Sequence, residues 1–177
     1  AEREETLRSI VKKQMSTAEL SEIKIENVTD PLKPFTYSYH LRVPGYAQRT
    51  GKRLFLQPEV FEHGTGSLFA STNRKYDVYF HYPWSEQDHI TIELPSGFTL
   101  DNADAPPNIT PELTQRICAQ QIKIGTDGHF IIYDRSFFFG GGGHILFPVS
   151  SYAAMKHLFD MISQSNDHTI TLKQSTN

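Results

Sequence analysis

Residues Arg74–Phe98 read RKYDVYFHYPWSEQDHITIELPSGF. Tyr76, Val78, Phe80 and Tyr82 alternate with Lys75, Asp77, Tyr79 and His81, so an extended chain would carry the first set on one face. Pro83 to Gln87 interrupts the alternation, and Ile90, Ile92 and Leu94 resume it against His89, Thr91 and Glu93. Two period-2 runs joined by about five turn residues predict an antiparallel hairpin with one buried face.

The neighbouring segments add strands to this pair. Upstream, Phe35, Tyr37, Tyr39, Leu41 and Val43 alternate with Thr36, Ser38, His40 and Arg42, the most regular strand pattern in the chain. Leu20 to Val28 gives another strand, with Leu20 out of phase with Ile23 and Ile25, and Lys52 to Leu56 a short one. Polar, Gly-containing Glu62 to Asn73 reads as a loop leading into the hairpin, and Asp101 to Pro111 as a second long loop. Leu113 to Ile124 and His129 to Phe139 flank Gly125–Gly128 and predict a second hairpin. Its later strand is apolar at both parities, which predicts cover on both faces. Gly140 to Gly143 reads as a flexible hairpin tip, followed by a short apolar run at Ile145–Phe147, and Thr169–Lys173 finishes the chain as a short strand.

Helical spacing appears only at the ends. Residues 1–15 place Leu7, Ile10, Val11 and Gln14 on one stripe, with acidic residues early and Lys12 and Lys13 late, which complements the helix dipole. Over 150–163, Tyr152, Met155, Leu158, Phe159 and Ile162 form the stripe, Ser150 or Ser151 is the expected N-cap, and Lys156 falls on the solvent side. Together these features predict a mainly β, antiparallel β-sandwich of about eight strands. It would form one domain over 1–177, with a short helix at each end.

A net charge of −3 with scattered Lys and Arg gives no basic stripe for nucleic acid. No apolar run is long enough to insert in a membrane. The opening AEREETLR lacks the pattern of a signal peptide and reads as a cut within a longer protein. Cys118, the only cysteine, shares parity with Ile122 and Ile124, so a small buried hydrophobe is favoured over a nucleophile. His81 and His89 are expected on the polar face of the central hairpin as solvated side chains, because a metal site needs a third ligand. The glycine tract lacks the following lysine and helix N-terminus of a phosphate loop, and no carboxylates pair at an interpretable spacing. No catalytic, cofactor or metal residue is therefore assigned. Tyr79, Tyr82 and Trp84 remain as a candidate aromatic platform for a ligand.

Several stretches in order, NVTDPLKPFTYSYHLRVPGYA (27–47), GKRLFLQP (51–58), the 74–98 segment, FPVSSYAAMKHLFDMI (147–162) and NDHTITLKQ (166–174), resemble the C-terminal module of bacterial multidomain proteins with a transglutaminase-like core. The most specific parts are R-K-Y-x-V…Y-P and F-P-x-x-x-Y-x-x-x-K-x-x-F-D. In that family a β-rich domain of unknown function and a papain-like core precede the module. The resemblance implies that the catalytic Cys, His and Asp belong to the core, since none maps here, and that this chain is not itself an enzyme. It implies an extracytoplasmic location, and a basic position at Arg135 read as structural. The expected function is thus a non-catalytic accessory domain that packs against or positions that core or a partner, without cofactors. The competing expectation is a stand-alone carbohydrate- or peptide-binding module using the aromatic residues near Trp84.

Overall fold

The computed structural model describes residues 2–110 and 116–175, so Leu113–Gln115 of the expected strand Leu113–Ile124 lie outside the described residues. The chain divides into two compact units, Ala1–Tyr46 and Ala47–Asn177.

The first unit holds helix α1 (Glu2–Gln14) and strands β1 (Glu19–Glu26) and β2 (Thr36–Arg42). Leu7 and Val11, one turn apart on α1, are buried, whereas Ile10 is 58% exposed, so the apolar stripe is narrower than its spacing predicts. Arg8 ties α1 to the start of β1 through a 2.7 Å bond from Nη1 to the Leu20 carbonyl. The β1–β2 register shifts between Ser21 and Lys24, where Glu22 takes a left-handed φ of 51°. That bulge is why Leu20 is out of phase with Ile23 and Ile25. Along β2 the rings of Phe35, Tyr37 and Tyr39 form a row with centroids 6.0 and 6.2 Å apart.

The second unit contains β3 (Gln48–Thr50), β4 (Arg53–Leu56), β5 (Val78–Tyr79), β6 (Trp84–Glu93), β7 (Phe98–Asn102), β8 (Cys118–Thr126), β9 (Phe130–Phe139), β10 (Leu146–Phe147), α2 (Tyr152–Asn166) and β11 (Ile170–Gln174). They form sheets ordered β3-β4-β11-β7, β6-β9-β8 and β10-β5. Every pairing is antiparallel. The mainly β class with a helix towards each end is as the sequence predicts. The described residues hold eleven strands rather than about eight, because β3, β5 and β10 are too short to leave a periodic signature.

The central hairpin does not form. β5 pairs with β10, and β6 pairs with β9. The supposed turn residues from Trp84 onward are already strand, and they point Trp84, Glu86, Asp88, Ile90 and Ile92 inward and Ser85, Gln87, His89, Thr91 and Glu93 outward. Of the first arm's apolar set only Val78 and Phe80 go inward, while Tyr76 and Tyr82 are 80% and 67% exposed.

β9 organises this unit. Its residues Ile131, Tyr133, Arg135, Phe137 and Phe139 share one buried face. At one end Ile131 meets Leu56, Ile170 and Leu172 of the four-stranded sheet, which is sheet-on-sheet packing. At the other end Phe137 and Phe139 meet Met155, Leu158, Phe159 and Ile162 of α2. Tyr133 and Arg135 lie between these two apolar clusters. The opposite parity is not covered as expected: Phe130 and Ile132 are each 37% exposed, and the polar Asp134 and Ser136 separate them from Phe138 on that face.

Helix α2 also carries a strap. Tyr152 Oη donates to the Ser71 carbonyl, Lys156 Nζ donates to the Phe69 carbonyl at 2.8 Å, and Ser67 donates to Asp160. Residues 152, 156 and 160 are successive i, i+4 positions, so the loop runs antiparallel along one helix face. Lys156 is therefore a tie and not the free solvent-side residue that its position predicts. Ser151 does precede the helix, but its Oγ donates to the Pro148 carbonyl instead of capping. The Val149 amide, in the turn before the helix, donates to Asp77 at 2.8 Å. The glycine tract links β9 to β10, which do not pair, so it is not a hairpin tip. Glycine is required there because a Cβ on Gly141 would lie 1.8 Å from the Arg116 carbonyl oxygen.

Candidate functional site

The inner face of β6 and β9 brings one cation among several carboxylates. Arg135, 3% exposed, donates from Nη1 to Asp88 at 2.7 Å and from Nη2 to Glu86 at 2.8 Å. Its Nε approaches the side-chain oxygens of Asn166 at 3.2 Å and Gln120 at 3.3 Å. Gln120 Nε2 also donates to Asn166 Oδ1 at 3.1 Å. A planar fork suits this use, because each edge meets a separate acceptor in fixed geometry. Burial pulls the guanidinium pKa down, but hydrogen bonds to Glu86 and Asp88 more than restore it, so the charge is held. Glu86 does further duty, accepting from Trp84 Nε1 at 2.9 Å.

Two more carboxylates come from the segment after β4. Glu59, 1% exposed, accepts through Oε1 from the Phe61 and Glu62 amides at 3.0 and 3.2 Å. Its Oε2 and the Tyr133 hydroxyl are both buried, and the hydroxyl interacts with the Glu59 carboxyl. Burial first, then the Asp88 charge, pushes the Glu59 carboxyl up. Burial and then Glu86 push Glu62 up. Burial first, then the Glu59 charge, raises Tyr133.

An acid whose pKa is raised on folding stabilises the fold below its unfolded value and loses that contribution as pH rises through the folded value. Glu59→Gln is therefore expected to raise the melting temperature at neutral pH, since the amide oxygen keeps both backbone bonds without a buried charge. The gain should vanish below the ordinary glutamate value of 4.5. Melts across that range check it, and a gain independent of pH would assign it to packing.

Beside the network lies a cleft of about 430 Å³. Arg135, Glu86 and Asn166 stand at its polar side, Trp84, Phe137 and Phe159 form its aromatic side, and Glu62 with Thr65–Leu68 forms its rim. Of the expected platform, Trp84 lines this cleft and packs on Phe137 and Phe139 at 5.7 and 4.9 Å. Tyr79 is 58% exposed with its ring against His81, and Tyr82 is exposed. Among the described residues neither tyrosine has a ring contact with Trp84.

Cys118 is fully buried, and burial pushes its thiol up to about 12. His89 and Asp134, opposite one another on β6 and β9, approach at 2.6 Å on the outer face. Among the described residues no group of three or more His, Cys, Asp or Glu is placed to hold a metal ion. No helix among them is long and apolar enough to cross a membrane.

The sequence reading missed Glu59, Glu62, Glu86, Asp88, Gln120 and Asn166. A signal for two of them was present. Trp84, Glu86, Asp88, Ile90 and Ile92 keep a single parity, and their alternation is broken in polarity but not in period.

A strapped helix over two antiparallel sheets, with a buried Arg–carboxylate network between the apolar clusters, defines a small β-rich domain. Residues 52–172 match the family described as Domain of Unknown Function with solved-structure structure (DUF3858), and the chain belongs to that family. The match spans Glu59, Arg135 and Asn166, and so the whole network. No curated protein and no solved structure matches the chain.

Proposed function

We propose that this chain is a non-catalytic accessory domain that packs against or positions a transglutaminase-like core in an extracytoplasmic protein. The reading rests on the resemblance drawn above. The observation that carries it is the aromatic row leading into β2: Phe35, just before the strand, and Tyr37, 58% and 50% exposed, stand beside Ile10 of α1, also 58% exposed, around one apolar groove. Apolar side chains presented together in this way favour burial against a partner. The buried thiol of Cys118 supports the non-catalytic half, because the thiolate is the nucleophile and burial disfavours it.

The test mixes the chain with a separately produced transglutaminase-like core from a protein of the resembled architecture. Co-sedimentation is expected, lost in Phe35→Ser/Tyr37→Ser, together with no transamidation of an amine donor by the chain alone. Turnover by the isolated chain that disappears in Cys118→Ser would overturn the reading, as would association indifferent to the aromatic row.

A second reading, a peptide- or carbohydrate-binding module, is favoured by one observation: Trp84 lines a concave cleft beside Glu86 and Arg135. Apolar walls with a few convergent polar groups are the usual form of a ligand site.

A further inference from the structure

The cleft at Arg135 has a definite charge character. Its guanidinium is engaged by Glu86 on one nitrogen and Asp88 on the other, with Nε turned to Gln120 and Asn166. It therefore balances at most part of the negative charge around it. Glu62 lines the same cleft, half-buried, and among the described residues the one cation that acts on its carboxyl is Arg135, already bonded to Glu86 and Asp88. Glu59, 1% exposed, adds a further carboxyl to the same field, with the Tyr133 hydroxyl against it. An anionic ligand would meet this surplus of like charge, whereas a cation would neutralise it in a site partly shielded from water, where the attraction is stronger than at an open surface.

The other wall is aromatic. Trp84 is the half-buried ring of this wall, backed by the buried Phe137 and Phe159. Arg135 already stands 5.5 Å over Phe137, so Trp84 is the ring open to an ammonium or guanidinium group. The alkyl stem of a long basic side chain would lie along Trp84 while its head reaches Glu62, an arrangement that matches the amphipathic character of lysine and arginine. Three features thus point the same way: a cavity of about 430 Å³, an aromatic wall and four carboxyls, Glu59, Glu62, Glu86 and Asp88, around one guanidinium.

We infer that this cleft binds the basic side chain, lysine or arginine, of a peptide segment, with Glu62 as its counter-ion and Trp84 as part of its wall. The inference rests on the second reading above and names its ligand. It does not depend on docking through β2.

Trp84 is the only tryptophan, so its fluorescence reports on the cleft directly. The full chain is titrated with acetyl-Gly-Lys-Gly-amide, with the same peptide acetylated on the lysine side chain, and with a neutral chito-oligosaccharide. A saturable change is expected with the lysine peptide, weakening as salt is added. It should be about tenfold weaker for the acetylated peptide and for Glu62→Gln, the loss expected when one charge-assisted contact goes. Glu62→Gln should melt no lower than the parent, and higher at neutral pH, because burial and Glu86 push that carboxyl up; weaker binding by this variant is therefore not a loss of fold.

Equal binding of the acetylated peptide, or unchanged binding by Glu62→Gln, would overturn the cationic assignment. Saturation by the oligosaccharide alone would overturn it while leaving a ligand-binding cleft in place. No saturable response to any of the three would remove both the assignment and the second reading.

Discussion

Arg135→Ala is expected to destabilise the second unit by about 3–5 kcal/mol, the cost of breaking a buried pair and leaving its partner charges uncompensated. The side chain is 2% exposed, and its partners Glu86 and Asp88 are 33% and 15% exposed, so water reaching Glu86 from the cleft would take over the lost bonds only in part. The substitution would also remove the donor that organises Gln120 and Asn166. Urea melts at neutral pH measure the loss. Two controls separate charge from volume. The triple variant Glu86→Gln/Asp88→Asn/Arg135→Met should be closer to the parent than Arg135→Ala, because it removes all the charges together. The loss in Arg135→Ala should also shrink at a pH low enough to protonate the stranded carboxylates. A loss under about 1 kcal/mol, or one equal at both pH values, would show that the network contributes packing only.

The same network explains where the sequence misleads. Period-2 alternation is legible at β2 and at the Ile90–Ile92 end of β6, whereas β9, apolar at both parities, is found from the glycine-containing connection before it. It fails at Glu86 and Asp88, because a strand is recognised by hydrophobic alternation and these inward positions are charged. With Pro83 before them they imitate a turn, and a false hairpin follows. The partner that makes them tolerable, Arg135, lies 49 residues from Glu86 along the chain, a separation that local pattern cannot bridge. β5 and β10, of two residues each, take their pairing from tertiary packing and leave no periodic trace. Helix α2 is legible because its stripe is wholly apolar. Tyr152, Lys156 and Asp160 carry a second pattern on that helix, with i, i+4 spacing, and its meaning appears only once the loop they hold is in place.

That spacing supports a link between stability and the cleft. The loop held by Tyr152, Lys156 and Asp160 supplies the rim residues Thr65–Leu68. The helix that covers the aromatic end of β9 thus also fixes the rim of the cleft. Phe159 belongs to both, since it lines the cleft and sits in the apolar cluster.

Phe159→Ala is accordingly expected to cost about 3–5 kcal/mol, the range for deleting a buried phenylalanine. Its ring meets Phe69 at 5.4 Å, Phe139 at 5.3 Å and Phe80 at 6.1 Å, so one truncation opens a void among three elements. Domains of this size have about 5–15 kcal/mol in total, and much of that would be gone. Lys156→Ala provides the comparison. It keeps the core but loses the bond to the Phe69 carbonyl and the i, i+4 pair with Asp160. Its cost should be about 1 kcal/mol, typical of one hydrogen bond, and not the near-zero value of a free surface lysine. Denaturant melts rank the two variants. Hydrogen exchange then separates them in kind: Lys156→Ala should loosen residues 64–71 while α2 stays protected, and Phe159→Ala should release both together. Equal small costs for the two would mean that α2 does not anchor this unit, and that its apolar stripe takes its stability from elsewhere.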